Sequence, residues 1–340
     1  MNRIIVPLSV IIFHVLFLVG ETKSSASLGL IGDATDVIRP TSGGTVLVGG
    51  GPDVDAAMQW MINKSGGGDF VVLRATGTDA YNSYIYSLGS VNSVETLLID
   101  SRTLANDLQV EATILGAEAV FITGGNQANY VNYWKDTKIE DALNYLRNTK
   151  KIPIGGTSAG CAILGGTYFP ALYGTLTTND ALDNPYNRYL TLGHNDFLNQ
   201  PYLINVITDT HFNNPDRRGR LITFLARMNQ DYGIVGRGIG VDESTAVCIE
   251  SNGTGRIFGT GTAFFLSQNG PAYKPEVCTN TSRLDWYRHR QAVTAYKIIG
   301  NKDGSESFDL KTWSQVNSKI HQYYYVNRGV LGFFLGEKKR

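Results

Sequence analysis

The chain has 340 residues, of which 42% are hydrophobic and 18% are charged, a composition that excludes a disordered tail or a coiled coil. Basic and acidic residues number 30 each, so the formal net charge is +0 and no electrostatic footprint for nucleic acid is visible. We therefore expect one large α/β domain with a sizeable core and no nucleic-acid partner.

The N-terminus has the features of a secretory signal peptide. Asn2 and Arg3 precede an apolar run over residues 4–19, and polar and small residues follow it up to Ala26. The run is slightly short for a membrane span, which needs about 20 apolar residues, although an uncleaved anchor is the alternative. We predict that residues 1–26 are removed and that the secreted chain keeps no stable membrane span.

In a secreted chain, three Asn-x-Ser/Thr triplets would be acceptor sites for N-glycosylation. We predict N-glycosylation at Asn63, Asn252 and Asn280. Asn252 and Asn280 lie in turn-like surroundings, whereas Asn63 ends a predicted helix and is expected to be less accessible.

The three cysteines form an odd set, so at least one thiol is left unpaired in a secreted chain. Cys248 and Cys278 could pair, but sequence does not establish the geometry that a disulfide needs. Cys161 follows a small-residue turn, and we expect it to be buried.

The order of apolar runs predicts the architecture. Residues 27–43 mix Ser, Gly, Thr and Pro without periodicity, so we predict a leader there and a single domain over residues 44–335. From Gly44 onwards, continuous apolar runs such as "GTVLV", "DFVVLRA" and "AVFI" alternate with segments of helical periodicity. This alternation predicts a parallel sheet covered by helices on both faces, with sites at the carboxyl ends of its strands. Beyond about Gly174, short β segments predict an antiparallel extension of the same sheet.

Two glycine turns follow predicted strands in the first half of the chain. The first, "GGGPD" at residues 49–53, lacks the Gly-x-Gly-x-x-Gly spacing of a dinucleotide site, so we interpret it as a tight strand-to-helix turn. The second leads through Gly124 and Gly125 into Asn126 and Gln127. Its backbone N–H groups and amides can bind a carbonyl or carboxylate, although Gly-Gly-Asn is also ordinary turn chemistry.

A third glycine turn, "GTSAG" at residues 156–160, fits the nucleophile elbow Gly-x-Ser-x-Gly. A predicted strand precedes it and a small-residue helix follows, so Ser158 would be exposed above the strand end and facing a helix N-terminus. Backbone N–H groups there can stabilise an oxyanion. The alternative is a structural glycine turn with a capping serine.

A serine nucleophile needs a base, normally a histidine held by a carboxylate. His211 differs from the other histidines because it ends the apolar strand "YLINVITDTHF", at the same predicted sheet edge as Ser158. Glu243, with Asp242 beside it, follows another short strand and is a candidate for the carboxylate. The order Ser, His, Glu departs from the α/β-hydrolase order, in which the acid precedes the histidine. That alternative would use a histidine nearer the C-terminus.

Four collinear motifs resemble the cyanophycinase and aspartyl dipeptidase group of serine peptidases, peptidase family S51. They are "TGGNQ" at 123–127, "GGTSAGCAIL" at 155–164, "DTHFNNPDRRGRL" at 209–221 and "GIGVDESTA" at 238–246. The resemblance implies a flavodoxin-like or class I glutamine amidotransferase-like α/β fold that uses neither a metal nor an organic cofactor.

The resemblance also implies roles for individual residues. Ser158 would be the nucleophile, His211 the general base and Glu243 the group that orients the base. The Gly125 and Ala159 N–H groups would be the oxyanion donors. The substrate contacts implied by the same motifs are Asn126, Gln127, Asp209, Arg217 and Arg220.

The implied reaction is hydrolysis of peptide or isopeptide bonds next to aspartyl residues, in a peptide or polymer substrate, by an exopeptidase. A homodimer is a separate possibility that the motifs do not address. The motif after the strand normally has a glutamine and three arginines, whereas this chain has Thr210 for the glutamine and Pro215 at the first arginine position. This departure argues against assuming cyanophycin itself as the substrate. One alternative is a non-catalytic secreted glycoprotein of the same fold with a matrix or binding role. A cysteine amidotransferase is disfavoured because position 158 is a serine and Cys161 comes one helical turn after it.

Overall fold

The computed structural model describes residues 24–315 and 320–337, so the predicted signal peptide lies outside them except for its last three residues. The helices within those ranges are α1 (Asp55–Lys64), α2 (Ala80–Leu88), α3 (Arg102–Ala105), α4 (Leu108–Gly116), α5 (Gln127–Trp134), α6 (Lys138–Tyr145), α7 (Ala159–Ala162), α8 (Thr178–Asp183) and α9 (Arg218–Tyr232). A π-helical turn spans Leu146–Lys150 and a 3-10 turn spans Arg288–Arg290. In this part of the chain, no helix has the length and apolar character needed to cross a membrane.

The strands in the same ranges are β1 (Ser27–Gly32), β2 (Gly44–Val48), β3 (Asp69–Arg74), β4 (Ser93–Leu98), β5 (Ala119–Ile122), β6 (Pro153–Thr157), β7 (Thr167–Tyr168), β8 (Gly193–His194), β9 (Val206–Asp209), β10 (Arg237–Val241), β11 (Thr245–Glu250), β12 (Thr254–Gly259), β13 (Thr262–Gln268), β14 (Val293–Ile299), β15 (Ser307–Asp309), β16 (Ser314–Gln315), β17 (Ile320–Asn327) and β18 (Val330–Glu337). They form two sheets.

The larger sheet has the strand order β1-β4-β3-β5-β6-β2-β11-β12-β15-β16. Its strands β4, β3, β5, β6 and β2 pair in parallel, as the apolar runs predict. Val46 and Val72 point into a core beneath α1 and α2, while Leu47 and Val71 point into a core on the other face with α4, α5 and α6. Both faces of the sheet are therefore buried, and the predicted α/β fold class is confirmed.

The second sheet has the order β18-β17-β14-β13-β10-β9-β7-β8 and was not expected from the sequence. Strands β11, β12, β15 and β16 do extend the first sheet in antiparallel fashion, whereas β10, β13 and β14 belong to the second. The chain changes sheet at residues 242–244 and again at residues 260–261. Alternation of apolar residues predicts that a segment is a strand but does not predict its partner, so the change of sheet left no signal.

The sheet begins earlier than predicted. Residues 27–43 were expected to be a leader before the fold, but β1 pairs antiparallel with β4 at the edge of the larger sheet. Its side chains are half-buried or exposed, because an edge strand packs little of its surface. The segment therefore lacks the apolar pattern by which a strand is predicted.

The helix α9 is the longest helix of the described residues and was not predicted. Every residue from Gly219 to Ala226 is buried, including Arg220 and Thr223. A helix buried on all sides shows no amphipathic stripe, and its polar residues resemble a loop in sequence. Its burial matters for function, because α9 carries Arg220 into the site described below.

All three cysteines are free and buried. Cys248 on β11 packs in the apolar core beneath α1 and α2, whereas Cys278 belongs to a separate core around α9. The pairing of Cys248 with Cys278 is therefore not formed. Cys161 lies on α7 just behind the elbow, and its predicted burial is confirmed.

Candidate active site

Ser158 lies on a sharp turn between β6 and α7, with φ 49° and ψ −114°. A Cβ at Gly156 would come within 2.6 Å of the Gly160 carbonyl carbon, and one at Gly160 within 2.2 Å of the Ile122 oxygen. Glycine is therefore required at both positions of the elbow by the close approach of the backbone. The strained serine conformation holds its Oγ above the strand end, as a nucleophile elbow requires.

Ser158 is joined to Glu243 through His211 by two short hydrogen bonds. The Ser158 Oγ lies 2.8 Å from His211 Nε2, and His211 Nδ1 lies 2.6 Å from Glu243 Oε1. An ionised carboxylate can only accept, so we assign the ring proton to Nδ1, which leaves Nε2 to accept the serine proton. The arrangement can transfer a proton away from the serine as its oxygen attacks a carbonyl.

The histidine and the glutamate meet because β9 and β10 pair in parallel and end side by side. His211 and Glu243 each follow the last residue of their strand by two positions. The hydrogen bond with His211 is the main reason why the pKa of Glu243 is lowered, so this carboxylate stays charged. Asp242, the neighbouring carboxylate, is buried instead and accepts a hydrogen bond from the Thr262 N–H.

The other histidines of the described residues lie in different surroundings. His194 is hydrogen-bonded to Thr167 and stacks on Tyr232. His289 belongs to the 3-10 turn at residues 288–290, and His321 is buried among aromatic rings on β17. The structure thus brings together Ser158, His211 and Glu243 in the chain order that the motifs indicate.

Two backbone N–H groups are available beside the serine. Among the described residues, the Gly125 and Ala159 N–H groups donate to no protein acceptor, and both residues line a cavity with Ser158. Gly125 has φ +145°, a conformation that favours glycine. Helix α7 has only four residues, so at this turn the two individual N–H groups are the donors available to an oxyanion, as expected from the sequence.

The cavity beside Ser158 has a volume of about 370 Å³. Every residue predicted for the site lines it except Glu243, which lies behind His211. Gln127 is half-buried at the start of α5, and no hydrogen bond within the described residues uses its amide. Asn126 caps α5 by accepting the Ala128 N–H at 3.0 Å, so one of its two amide atoms has a structural role.

Arg220 and Asp209 form a buried ion pair in the cavity wall. Their side chains are 3% and 4% exposed, and the guanidinium donates to the carboxylate through Nη2 and, at 3.0 Å, through Nε. Its Nη1 donates to Thr175 Oγ1 at 2.9 Å, and its flat face lies 5.4 Å from the centre of the Phe169 ring. Arg220 and Asp209 satisfy each other, so their contribution to the site is the shape of the wall.

Arg217 is the second cation of the cavity, and it makes fewer hydrogen bonds to the protein than Arg220 does. It is half-buried, and its Nη1 donates to the Thr210 carbonyl at 2.7 Å. Burial and then the charge of Arg220 lower the pKa of Arg217, but a guanidinium remains charged in this range. Its remaining donors can bind a carboxylate in the cavity, and no Asp or Glu in the described ranges forms an ion pair with it.

The sequence missed two parts of the site. Gly49–Gly51, interpreted as a plain turn, packs against His211 and Glu243. Phe169 and Thr175 line the cavity beside Arg220 and come from a part of the chain with no motif. Three glycines directly after a buried strand were the available signal for the first part. Within residues 24–315 and 320–337, no group of three His, Cys, Asp or Glu side chains could hold a metal ion.

A parallel α/β sheet whose serine elbow is hydrogen-bonded to a histidine, and through it to a glutamate, is an arrangement typical of hydrolases that use a serine nucleophile. The model of peptidase family S51 matches residues 76–257, more than half of the sequence, and the chain belongs to this family.

Curated relatives agree with this assignment, and a solved structure shares the fold. The cyanophycinase of Nostoc sp. strain PCC 7120 is 30% identical over 177 residues, which cover 52% of this chain and 54% of the relative. The cyanophycinase of Synechococcus elongatus is 27% identical over 206 residues, covering 60% and 57%. This chain therefore spans little more than half the length of the curated relatives it matches. The crystal structure of a peptidase from an acI-B1 Actinobacterium has the same fold, with a TM-score of 0.50 at 15% identity over 79% of this chain and 98% of that chain.

Proposed function

We propose that the protein is a secreted serine exopeptidase that hydrolyses peptide or isopeptide bonds next to aspartyl residues. The observation that carries the proposal is the unbroken hydrogen-bonded chain from Ser158 through His211 to Glu243, at a cavity that also contains the guanidinium of Arg217. Membership of peptidase family S51 supports the same reaction class.

The geometry supports the following mechanism. His211 Nε2 takes the proton of the Ser158 hydroxyl while Oγ attacks the scissile carbonyl, and Glu243 stabilises the imidazolium that forms. The oxyanion of the tetrahedral intermediate accepts hydrogen bonds from the Gly125 and Ala159 N–H groups. His211 then protonates the leaving amine, and an acyl-enzyme remains on Ser158. Water deprotonated by His211 releases the acid and restores the serine.

Charge and size support the proposed substrate class. The cavity holds two cations, of which Arg220 is neutralised by Asp209, so Arg217 provides one net positive charge for one substrate carboxylate. A volume of about 370 Å³ is at the low end for ligand pockets, which favours a short segment such as the end of a peptide. Pro215 is exposed and supplies no cation where the family motif has arginine. A short aspartyl or β-aspartyl peptide therefore fits better than a polymer held by three arginines.

Secretion and N-glycosylation belong to the same proposal. Asn63, Asn252 and Asn280 are all exposed, including Asn63, which was expected to be less accessible. Ser65 of the first triplet is buried and hydrogen-bonded to the Ile62 carbonyl, so glycan transfer there must precede folding. Mass spectrometry of the secreted protein before and after peptide N-glycosidase, with each asparagine changed in turn to glutamine, tests this part.

The central experiment is product analysis with the full chain expressed in a secreting host. Short α- and β-aspartyl peptides, matched asparaginyl peptides and cyanophycin are incubated with the wild type and with Ser158→Ala. The control is Ser87→Ala, which removes an exposed hydroxyl on α2 that bonds only the Tyr84 carbonyl. We expect aspartyl products from the wild type and Ser87→Ala, and a loss of about 10⁴- to 10⁶-fold in Ser158→Ala. Activity retained in Ser158→Ala would refute the nucleophile, and no product from a folded wild type would favour the non-catalytic glycoprotein.

A further inference from the structure

Three successive backbone carbonyls at the end of β2 accept hydrogen bonds from the three segments that carry the proposed triad. The donors, acceptors and N···O distances are Ser158 to Val48 at 3.1 Å, His211 to Gly49 at 2.7 Å and Ser244 to Gly50 at 3.0 Å. The nucleophile, the base and the residue directly after the acid are therefore held by one stretch of three residues. Among the described residues, no other stretch of the chain accepts backbone hydrogen bonds from all three segments.

The three donors all have a positive backbone φ. Ser158, His211 and Ser244 have φ angles of 49°, 47° and 52°, in the left-handed region that side chains other than glycine rarely adopt. Such conformations persist only where the surrounding structure determines them. The carbonyls of residues 48–50 contribute one such constraint to each donor, because each accepts a hydrogen bond from its backbone N–H.

These hydrogen bonds also connect the two sheets. Ser158 follows β6 of the larger sheet, whereas His211 and Glu243 follow β9 and β10 of the second sheet. The distance between Ser158 Oγ and His211 Nε2 therefore depends on how the sheets are joined. The segment after β2 leaves the larger sheet, and its Gly49 and Gly50 carbonyls accept hydrogen bonds from His211 and Ser244, which follow strands of the second sheet. These bonds lie beside the Ser158 and His211 side chains, between which the proton is transferred.

Glycine is required in this segment by contact with triad side chains at Gly50 and Gly51 and with backbone at Gly49. Gly50 has φ +96°, and a Cβ there would lie 2.4 Å from both Cε1 and Nε2 of the His211 ring. Gly51 has φ +69°, and a Cβ there would lie 3.0 Å from Glu243 Cβ. A Cβ at Gly49 would lie 1.9 Å from the Asp242 oxygen. The imidazole thus packs against bare backbone at Gly50.

We propose that Gly49–Gly51 is the positioning element of the site and that Gly50 sets the distance between Ser158 Oγ and His211 Nε2. The inference rests on the proposed catalytic role of these side chains. Gly50 acts through His211, so it is a positioning residue. A methyl group at this position must displace the ring whose Nε2 bonds the serine, while all three triad side chains stay in the chain.

The test compares three glycine-to-alanine variants of the full chain. Gly50→Ala adds a methyl group against the His211 ring, and Gly51→Ala adds one against the more flexible Glu243 side chain. Gly233→Ala is the matched control, because Gly233 also has positive φ, at +68°, but a Cβ there would meet nothing within 4 Å. All three substitutions strain the backbone, because each places a Cβ at a positive φ. Only the first two bring that Cβ into contact with a triad side chain.

Three measurements distinguish an effect on the position of His211 from an effect on the stability of the protein. Crystal structures of the variants give the distance from Ser158 Oγ to His211 Nε2. The rate of Ser158 labelling by a fluorophosphonate reports nucleophile activation without substrate recognition. In that reaction an Oγ–P bond forms, the P–F bond breaks, fluoride leaves and His211 takes the hydroxyl proton. Thermal unfolding of each variant completes the comparison.

We expect Gly50→Ala to lengthen the distance beyond about 3.5 Å, which breaks the hydrogen bond, and to slow labelling by about 100-fold. Gly51→Ala should show a smaller effect in the same direction, and it serves as the test if Gly50→Ala does not fold. Gly233→Ala should label at the wild-type rate. An unchanged distance and labelling rate in folded Gly50→Ala would overturn the inference. A wild type that neither labels nor hydrolyses would overturn the proposed function, and the crystal structures would still decide the positioning role.

Discussion

The ion pair between Asp209 and Arg220 permits a quantitative test of the cavity wall. Replacing Arg220 with methionine keeps an unbranched side chain of similar reach but removes the charge and every hydrogen bond to Asp209 and Thr175. The Asp209 carboxylate, 4% exposed, would then be left without its cation. Asp209→Asn is the complementary change, since it keeps the shape of the side chain and leaves the guanidinium buried without an anion.

Magnitudes follow from this burial. Removing one partner of a buried ion pair typically costs about 3–5 kcal/mol, because the remaining charge keeps its desolvation penalty and loses its compensation. We expect each single variant to lose stability in this range. The double variant leaves no unpaired buried charge, so it should be more stable than the sum of the singles predicts, by up to about 3 kcal/mol.

The assay is urea unfolding followed by circular dichroism and tryptophan fluorescence. Arg218→Met is the control, because Arg218 pairs with Asp216 near the surface, where the two side chains are 35% and 45% exposed. Such a pair is worth about 0–1 kcal/mol. A loss below about 1 kcal/mol in Arg220→Met, or strictly additive effects, would refute the argument that Arg220 belongs to the wall. Arg220 would then be free to bind substrate, as the motif implied.

Two further predictions concern substrate binding and pH. Arg217→Met should lower kcat/KM for an aspartyl peptide by about 10- to 100-fold, the value of a charge-assisted hydrogen bond, while leaving a matched asparaginyl peptide nearly unchanged. Equal losses on both peptides would contradict the pairing of Arg217 with a carboxylate. Glu243→Gln tests the linkage of stability to pH, because the pKa of Glu243 is lowered in the folded state. The stability advantage of the wild type over this variant should be fully present above the ordinary glutamate pKa of about 4.3 and disappear as the pH falls through the lowered value. Urea unfolding of both proteins between about pH 7 and pH 3 measures it, and a difference independent of pH would argue against the charged pair.

The parallel half of the fold was predictable because its strands are buried on both faces. Runs such as Val46–Val48 and Phe70–Leu73 are continuously apolar, and a doubly covered sheet leaves that pattern in sequence. The same reasoning failed for β1 and α9, since an edge strand has too little burial and α9 has burial on every side. The second sheet could not be foreseen, because its partners are set by contacts between distant segments.

For the site, position relative to strand ends was informative. Ser158, His211 and Glu243 were selected as residues that follow predicted strands, and the structure joins them by hydrogen bonds. Their catalytic roles remain predictions. The pairing of Arg220 with Asp209 was not predictable, because a cation that binds a substrate and one that is neutralised internally look identical in sequence.

The three unpaired, buried thiols affect how the chain would behave in an oxidising compartment. Burial raises the pKa of all three cysteines, to about 12 for Cys278, so the thiolate that begins oxidation or disulfide exchange is suppressed. Small secreted domains obtain much of their stability from disulfides, whereas a chain of 340 residues buries enough apolar surface to do without them. Once folded, this protein can therefore pass through an oxidising secretory route with every cysteine reduced, and its recovery should be insensitive to the redox buffer.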